Sequence, residues 1–256
     1  MILIDHAPFS QFVALQTALR AGAVLPDGLV CLALAGAEFR GQRRRSWTAL
    51  RGNLHLTVHY RLDLPAASVA TGLTVLPAVV AAESIRRASA GRCAPGIKWI
   101  NDLVLPAGKV GGVLTATQIE DTRAVCVLFG IGINIDRAPP IDPTPFVPAA
   151  ALTATDPGLR GSLPALFATL VAALDDGVRT LRETGSSDLF KRYRALSVCL
   201  GREVRLWPAA CADTNREPPL GQGRVVDILA DLALVLEGFP EPVRNARLAL
   251  APLENA

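Results

Sequence analysis

The chain has 256 residues, of which 50% are hydrophobic and 19% are charged, and its formal net charge is +3. This length fits one large domain, or one with a smaller domain beside it, and the apolar content is sufficient for a large core. The low net charge argues against a general nucleic-acid binder, because such proteins carry strong positive charge over a whole surface.

The cysteine content and the apolar stretches bear on the cellular compartment. The five cysteines include no Cys-x-x-Cys pair, which favours a reducing, cytoplasmic environment. The N-terminus shows no signal-peptide pattern. The apolar stretch 69–82 is interrupted by threonine, glycine and proline, so we predict a buried helix there and no membrane partner.

Short strands and helices alternate through the first half of the chain. Residues 53–60 alternate strictly between polar and apolar side chains, which predicts a strand with two different faces. The spacing of Phe12, Leu15 and Leu19 predicts a helix. The predicted strands of this half are 2–4, 29–35 and 53–60, and the predicted helices are 11–20 and 65–89.

The second half contains a predicted strand pair, a long loop and a strand-rich C-terminus. Residues 137–161 are rich in proline, alanine and threonine without a period, and loops of this length are often functional. The predicted strands are 96–105, 110–116, 123–133, 203–207, 223–228, 233–236 and 247–250, and the predicted helices are 163–182 and 188–195. The closing run of short strands predicts a small separate barrel.

A basic cluster, Arg40-Gly41-Gln42-Arg43-Arg44-Arg45, precedes Trp47. Glycine and clustered like charge disfavour regular structure, so we predict a loop. A local group of arginines suits phosphate or pyrophosphate, which guanidinium groups bind with two parallel hydrogen bonds.

Two further motifs carry residues suited to nucleotide chemistry. The first is Lys98-Trp-Ile-Asn101-Asp102, followed by Lys109 and the pair Gly111-Gly112; the second is Gly130-x-Gly132-x-Asn134. Attack of a carboxylate on a nucleotide phosphate requires cations near the phosphates, close backbone approach through glycine, and oxygen ligands for Mg²⁺. Lys98, Asn101, Asp102 and Lys109 supply these groups.

In this order, the three segments resemble the active-site core of the biotin–protein ligases. The resemblance implies an α+β catalytic domain over residues 1–197, with a mixed β-sheet covered by helices, class II synthetase-like. It also implies a small SH3-like β barrel over residues 198–256. It implies an enzyme that joins a carboxylic acid, biotin or a related acid, to ATP with Mg²⁺ and passes the acyl group to a lysine of a carrier protein. It further implies that the protein has no nucleic-acid partner, because the chain starts at the catalytic domain. It also implies that the protein can form homodimers.

The resemblance also implies roles for individual residues. Lys109 contacts the carboxylate and the α-phosphate, and Arg40 binds acid and phosphate together. Asn101 and Asp102 help to hold the metal and the triphosphate. The remaining substrate- or nucleotide-binding residues are expected to be Gly41, Arg43, Arg45, Trp47, Lys98, Gly111, Gly112, Gly130, Gly132 and Asn134.

The sequence departs from the family where biotin is recognised. The family's Ser-Thr-Asn is replaced by residues including His6 and Ala7, and the family's glutamine before the basic loop corresponds to Gly36. Gln42 replaces an arginine that helps to retain the adenylate. Three alternatives therefore stay open: a ligase for a different acid, a non-catalytic ligand- or nucleotide-binding protein on the same fold, and an acyltransferase using Cys31 or Cys93 as a thioester nucleophile.

Overall fold

The computed structural model describes residues 1–140, 146–211, 214 and 217–250. Its centre is a seven-stranded sheet in the order β1-β2-β5-β9-β8-β7-β6. Only β1 and β2 are parallel, and the other neighbours are antiparallel, so the sheet is mixed. The seven strands are β1 Ile2–Ile4, β2 Leu29–Ala33, β5 Leu54–Pro65, β6 Gly96–Lys98, β7 Asp102–Leu105, β8 Gly108–Glu120 and β9 Arg123–Ile133.

Four α-helices cover this sheet: α1 Gln11–Arg20, α2 Ala66–Ala88, α3 Leu163–Thr184 and α4 Ser187–Leu196. α2 packs on β5, β8 and β9 and is flanked by α3 and α4. It is long and apolar enough to cross a membrane, but 72% of its most apolar window is buried inside the protein. It is therefore a core helix, as the interrupted apolar stretch predicted.

The long strand β5 is buried on both faces, and its alternating polar and apolar residues face two different environments. Leu54, Leu56 and Val58 enter the main core, which includes residues of α2 and α3. His55 and Thr57 lie on the other face and are also buried. A strand whose polar face is buried requires a polar environment on that side, and the cavity described below provides it.

The arginine run forms a loop over residues 41–45, as predicted, with a 3-10 turn at Gln42–Arg44. The flanking strands, β3 Gly36–Arg40 and β4 Ser46–Ala49, pair as a hairpin that was not predicted. One prediction in this region was wrong in detail. The predicted strand 96–105 is two strands, since residues 99–101 form a turn that pairs β6 with β7. The Trp99–Ile100 peptide in this turn is cis.

The C-terminal segment forms a second, smaller sheet in the order β12-β11-β10-β13. Its strands are β10 Glu203–Pro208, β11 Gly221–Ile228, β12 Leu234–Leu236 and β13 Ala246–Leu250. This sheet is open within the described residues, so the predicted closed barrel is not confirmed. Residues 251–256 of the predicted C-terminal domain and residues 141–145 of the predicted loop lie outside the described residues. The division at residue 197 stays a prediction.

Candidate active site

A cavity of about 310 Å³ lies over β5, β8 and β9. α1, the β3–β4 hairpin, the β6–β7 turn and β13 surround it. Its wall includes most of the residues predicted from the sequence. These are Arg40, Gly41, Arg43, Arg45, Trp47, Lys98, Asn101, Asp102, Lys109, Gly112, Gly130 and Gly132.

Two lysines share one carboxylate in this cavity. Lys109 Nζ lies 2.6 Å from Asp102 Oδ1, and Lys98 Nζ lies 3.4 Å from Asp102 Oδ2. Burial by itself raises the pKa of Asp102, but the charges of Lys109 and Lys98 outweigh it and lower the pKa to about 2. Asp102 is therefore ionised and can hold both ammonium groups in place.

Arg43 and Arg45 of the hairpin form a like-charge cluster with Arg247 of β13. Burial and the neighbouring charge of Arg45 lower the pKa of both Arg43 and Arg247. Arg43 donates to Asn245 Oδ1 and to the carbonyl oxygen of Ala246 at 3.3 Å, which ties the hairpin to the small sheet. A bound polyanion would relieve the repulsion in this cluster.

The charge balance of the cavity wall favours an anionic ligand. Six of its described residues are lysine or arginine (Arg40, Arg43, Arg45, Lys98, Lys109 and Arg247), and the only acidic one is Asp102. Aromatic rings support several of these cations: Lys109 Nζ lies 5.8 Å from the centre of the Trp47 ring, and Arg247 lies 3.9 Å from that of Phe146. Such contacts orient cations without neutralising them.

The glycines on β9 make room for protein side chains. A Cβ on Gly132 would lie 2.6 Å from the Trp47 ring, and a Cβ on Gly130 would lie 2.8 Å from the ring of Phe12. Both rings line the cavity. The glycines therefore let the aromatic walls sit close to the sheet, and their effect on a ligand is exerted through those walls.

The structure does not bring Gly111 and Asn134 into the cavity wall. A Cβ on Gly111 would lie 2.7 Å from the carbonyl oxygen of Gly132, so glycine permits close pairing of β8 with β9. The buried Asn134 amide donates to Ala150 O at 3.1 Å and accepts from Asn53 Nδ2 at 3.4 Å. Both positions thus support the strands that carry the site.

The two cysteines considered as nucleophiles are badly placed. Neither Cys31 nor Cys93 contributes to the cavity wall, and both are buried. Burial raises the pKa of each thiol, which suppresses the reactive thiolate. A thioester route through either residue is inconsistent with this geometry.

Several cavity residues were missed by the sequence analysis. Gln11 at the start of α1, His55 and Thr57 on β5, Phe146 in the loop and Arg247 on β13 all line the cavity. Trp47 Nε1 donates to His55 Nδ1 at 3.4 Å, and burial lowers the pKa of His55 to about 4, so this imidazole is neutral near pH 7. The polar face of β5 was the available signal for His55 and Thr57.

The sequence is similar to those of known biotin–protein ligases. A model of the biotin/lipoate A/B protein ligase family matches residues 20–134. The bifunctional ligase/repressor BirA of Salmonella typhimurium is 26% identical over 232 residues, which span 90% of this chain and 69% of BirA. The biotin–[acetyl-CoA-carboxylase] ligase of Mycobacterium tuberculosis is 29% identical over 189 residues, spanning 70% of this chain and 65% of that ligase. By this match and these two relatives, the chain is similar to the biotin–protein ligases.

The solved structure of the biotin protein ligase of Aquifex aeolicus in complex with biotin and ATP shows the same fold. Its TM-score to this chain is 0.69, at 16% sequence identity, over 98% of this chain and 97% of that one. At such low identity the comparison establishes the mixed sheet and its helices, and it says nothing of individual side chains.

The start of the basic hairpin is tightly packed around Gly36. A Cβ on Gly36 would overlap the ring of Phe39, and Ala7 is buried beside both residues. A side chain larger than that of glycine does not fit at position 36 while the Phe39 ring is in this position. His6, in contrast, is exposed and does not line the cavity.

Proposed function

We propose that this protein is an ATP-dependent biotin–protein ligase. In the first step a carboxylate oxygen attacks the α-phosphorus of ATP, and pyrophosphate leaves. In the second step a lysine amine of the carrier protein attacks the acyl carbon, AMP leaves, and the amine loses a proton. The observation that carries the proposal is a single cavity in which Lys98, Asp102 and Lys109 face an arginine cluster.

The chain's own residues divide the work of the first step. Lys109, held by Asp102, lies where it can neutralise the acid's carboxylate and the α-phosphate as they approach each other. Arg40 donates to Ser46 Oγ at 3.3 Å and lines the same cavity, so it can bind either anion. Arg43, Arg45 and Arg247 form the binding region for the remaining phosphates.

Mg²⁺ fits this site as an ion carried by the nucleotide. The described residues contain no group of three or more histidine, cysteine, aspartate or glutamate side chains that could hold a metal. Mg²⁺ typically takes one or two protein oxygens together with phosphate oxygens and water. Asp102 and the side-chain oxygen of Asn101 are the protein ligands available in the wall, and the ion would offset phosphate charge.

The partners follow from the reaction. The small-molecule partner is biotin, and the acceptor is a lysine on a carboxyl-carrier protein. We further propose that the enzyme acts in the cytoplasm, without nucleic acid, and that it can pair as a homodimer. The five unpaired, buried cysteines suit a reducing compartment.

Biotin-dependent exchange between ATP and labelled pyrophosphate tests the proposal. Wild-type protein should catalyse exchange with Mg²⁺ and biotin, and Lys109→Ala should lower the rate about 10²–10³-fold, the usual cost of removing a charge-stabilising group. Lys191→Ala, an exposed change on α4, is the matched control and should leave exchange unaltered. Exchange with a different acid only would reassign the substrate, and ATP binding without any exchange would support the non-catalytic alternative.

A further inference from the structure

The turn between β6 and β7, residues 99–101, carries charged residues of the site at both of its ends. This active-site turn joins Lys98 to Asp102, which are paired across the two strands. Asp102 also binds Lys109 of β8, so the three side chains form one lysine–aspartate group. A shift of the active-site turn would therefore move all three charges of this group.

Tyr193 of α4 holds the active-site turn from behind the cavity wall. Its hydroxyl donates to the carbonyl oxygen of Ile100 at 3.1 Å. The Tyr193 side chain is completely buried and does not line the cavity, so it does not touch a ligand bound there. Burial raises the pKa of Tyr193 well above its ordinary value, and the charge of Asp102 acts in the same direction. The hydroxyl therefore stays protonated and remains a donor.

The small C-terminal sheet holds the same turn at a second point. Trp99 Nε1 donates to the carbonyl oxygen of Leu232 at 2.7 Å, and both residues are buried. Leu232 lies in the loop between β11 and β12. Thr71 of α2 fixes this loop on the main core, since its hydroxyl donates to the carbonyl oxygen of Ala230 at 2.6 Å. The backbone of the active-site turn is thus anchored to two elements that follow it in the chain.

α4 also contacts the small sheet that brings Arg247 to the cavity. Arg194, the neighbour of Tyr193, donates to the carboxylate of Asp227 and to the carbonyl oxygen of Ile228 on β11. Adjacent residues of a helix point about 100° apart. One turn of α4 therefore contacts the active-site turn with Tyr193 and the small sheet with Arg194.

We propose that Tyr193 is a positioning residue of the ligase reaction. Its hydrogen bond fixes the active-site turn, and the turn fixes the lysine–aspartate group at the distance from Arg247 that attack on the α-phosphorus requires. The inference rests on the proposed function and extends it to a residue that touches neither the acid nor the nucleotide. A tyrosine with a structural role alone would affect stability and leave the rate of the folded protein unchanged.

The first test is the substitution Tyr193→Phe, which removes the hydroxyl and keeps the ring. The exchange kcat with biotin should fall about 10- to 100-fold, the cost of a displacement near 1 Å. The calorimetric Kd for biotin should stay within about two-fold of wild type, because the variant removes alignment of the reacting groups and no contact with the acid.

Tyr60→Phe is the matched control. Tyr60 is the only other tyrosine of the chain, it is also buried, and its hydroxyl donates to Asp175 between β5 and α3. Each variant loses one buried hydrogen bond, so each should lower the Tm by about 2–4 °C. Tyr193→Phe alone should lower kcat, which separates positioning from stability.

A double mutant tests whether Tyr193 acts through the lysine–aspartate group. Asp102→Asn already releases both lysines, so adding Tyr193→Phe should lower kcat further by less than about three-fold, because residues that act as a unit are not additive. Full multiplication of the two single effects would overturn this route.

Lysine carbon signals report the geometry of the group without turnover. The chain has three lysines, Lys98, Lys109 and Lys191, so protein labelled with ¹³C at lysine Cε gives three resonances. Tyr193→Phe should shift the resonances of Lys98 and Lys109 and leave that of Lys191, which is exposed, in place. Tyr60→Phe should shift none of them.

The inference is overturned if Tyr193→Phe exchanges at the wild-type rate, or if it leaves the resonances of both site lysines unchanged. Failure of the proposed function has a different signature. Wild type would then support no exchange with any acid, and the lysine resonances would still decide whether Tyr193 holds the lysine–aspartate group.

Discussion

The phenyl ring of Phe39 occupies the space that a side chain on residue 36 would need. A Cβ on Gly36 would overlap the ring and would lie 2.7 Å from the carbonyl oxygen of Ala7. Residues 36 and 39 of the hairpin are therefore coupled by packing.

A double-mutant cycle tests this coupling. Gly36→Ala should lower the free energy of unfolding by about 1–3 kcal/mol, because overpacking forces the ring aside. In a Phe39→Ala background the same change should cost markedly less, a coupling of about 0.5–3 kcal/mol. Urea denaturation supplies the four values. Gly41→Ala is the control, since its Cβ would meet only Arg45 O at 3.7 Å; strict additivity of Gly36→Ala and Phe39→Ala would refute the coupling.

Asp102 is expected to act by positioning Lys98 and Lys109. Asp102→Asn removes the charge that holds both lysines, so the exchange kcat should fall about 10- to 100-fold, the cost of a misplacement near 1 Å. The KM for ATP should not rise, since the variant adds net positive charge to the wall. Steady-state kinetics over a range of Mg²⁺ concentrations decide the point. Recovery of kcat at high Mg²⁺ would show that Asp102 acts chiefly as a metal ligand, the other role proposed for it, and not by positioning the two lysines.

The sequence predicted the elements that have a clear local period. The helix 11–20 and the strand 123–133 are confirmed to the residue, because their apolar spacing coincides with tertiary burial. The strands of the arginine hairpin were missed because they form a separate two-stranded sheet and carry few apolar residues. The break at residues 99–101 was missed because no proline or glycine marks a turn between Ile97 and Leu105.

The sequence also predicted only those site residues that lie in contiguous motifs. Contiguous motifs located Lys98, Asp102 and Lys109, which lie within one hairpin region. Gln11 and Arg247 stand at opposite ends of the chain, and no local pattern marks either of them. They become site residues only because α1 and β13 meet the cavity in the folded protein. The roles assigned to individual residues remain predictions.

His55 should make the stability depend on pH between about 6.5 and 4. Burial lowers its pKa to about 4, against an opposing hydrogen bond to Leu50 O. In this window the unfolded chain binds a proton that the folded protein does not, so the free energy of unfolding falls as the pH falls, by roughly 3 kcal/mol. Denaturation curves from pH 7 to 4 should show this slope, and His55→Gln should remove most of it. An equal slope in the variant would rule out His55 as the source.

Arg247 should bind ATP from the small C-terminal sheet. Its guanidinium stacks on Phe146 and donates to Cys211 O at 2.7 Å, which holds its charge at the cavity wall. Arg247→Ala should raise the KM for ATP by about 10- to 150-fold, since a charge-assisted contact contributes about 1.5–3 kcal/mol. The KM for biotin should change little.

The control for Arg247 is Arg205→Ala on the adjacent strand β10. Arg205 is exposed, and it does not line the cavity. Both kinetic constants should stay at the wild-type level in this variant. Equal effects of the two substitutions would mean that the small sheet acts only through its overall charge, and the placement of Arg247 would then be irrelevant.

The wild-type protein, with Gln42, should release its acyl-adenylate faster than the variant Gln42→Arg. Gln42 lines the cavity at the tip of the hairpin, and its carbonyl oxygen accepts from Arg45 Nε at 3.3 Å. Gln42→Arg adds a cation that can pair with the adenylate's phosphate, and one charged hydrogen bond of about 1.5–3 kcal/mol should slow release about 10- to 100-fold. Rapid gel filtration of labelled adenylate from single-turnover mixtures measures the rate. Gln42→Met, which adds no charge, should release at the wild-type rate, and a similar slowing in that variant would show that side-chain bulk, and not charge, retains the intermediate.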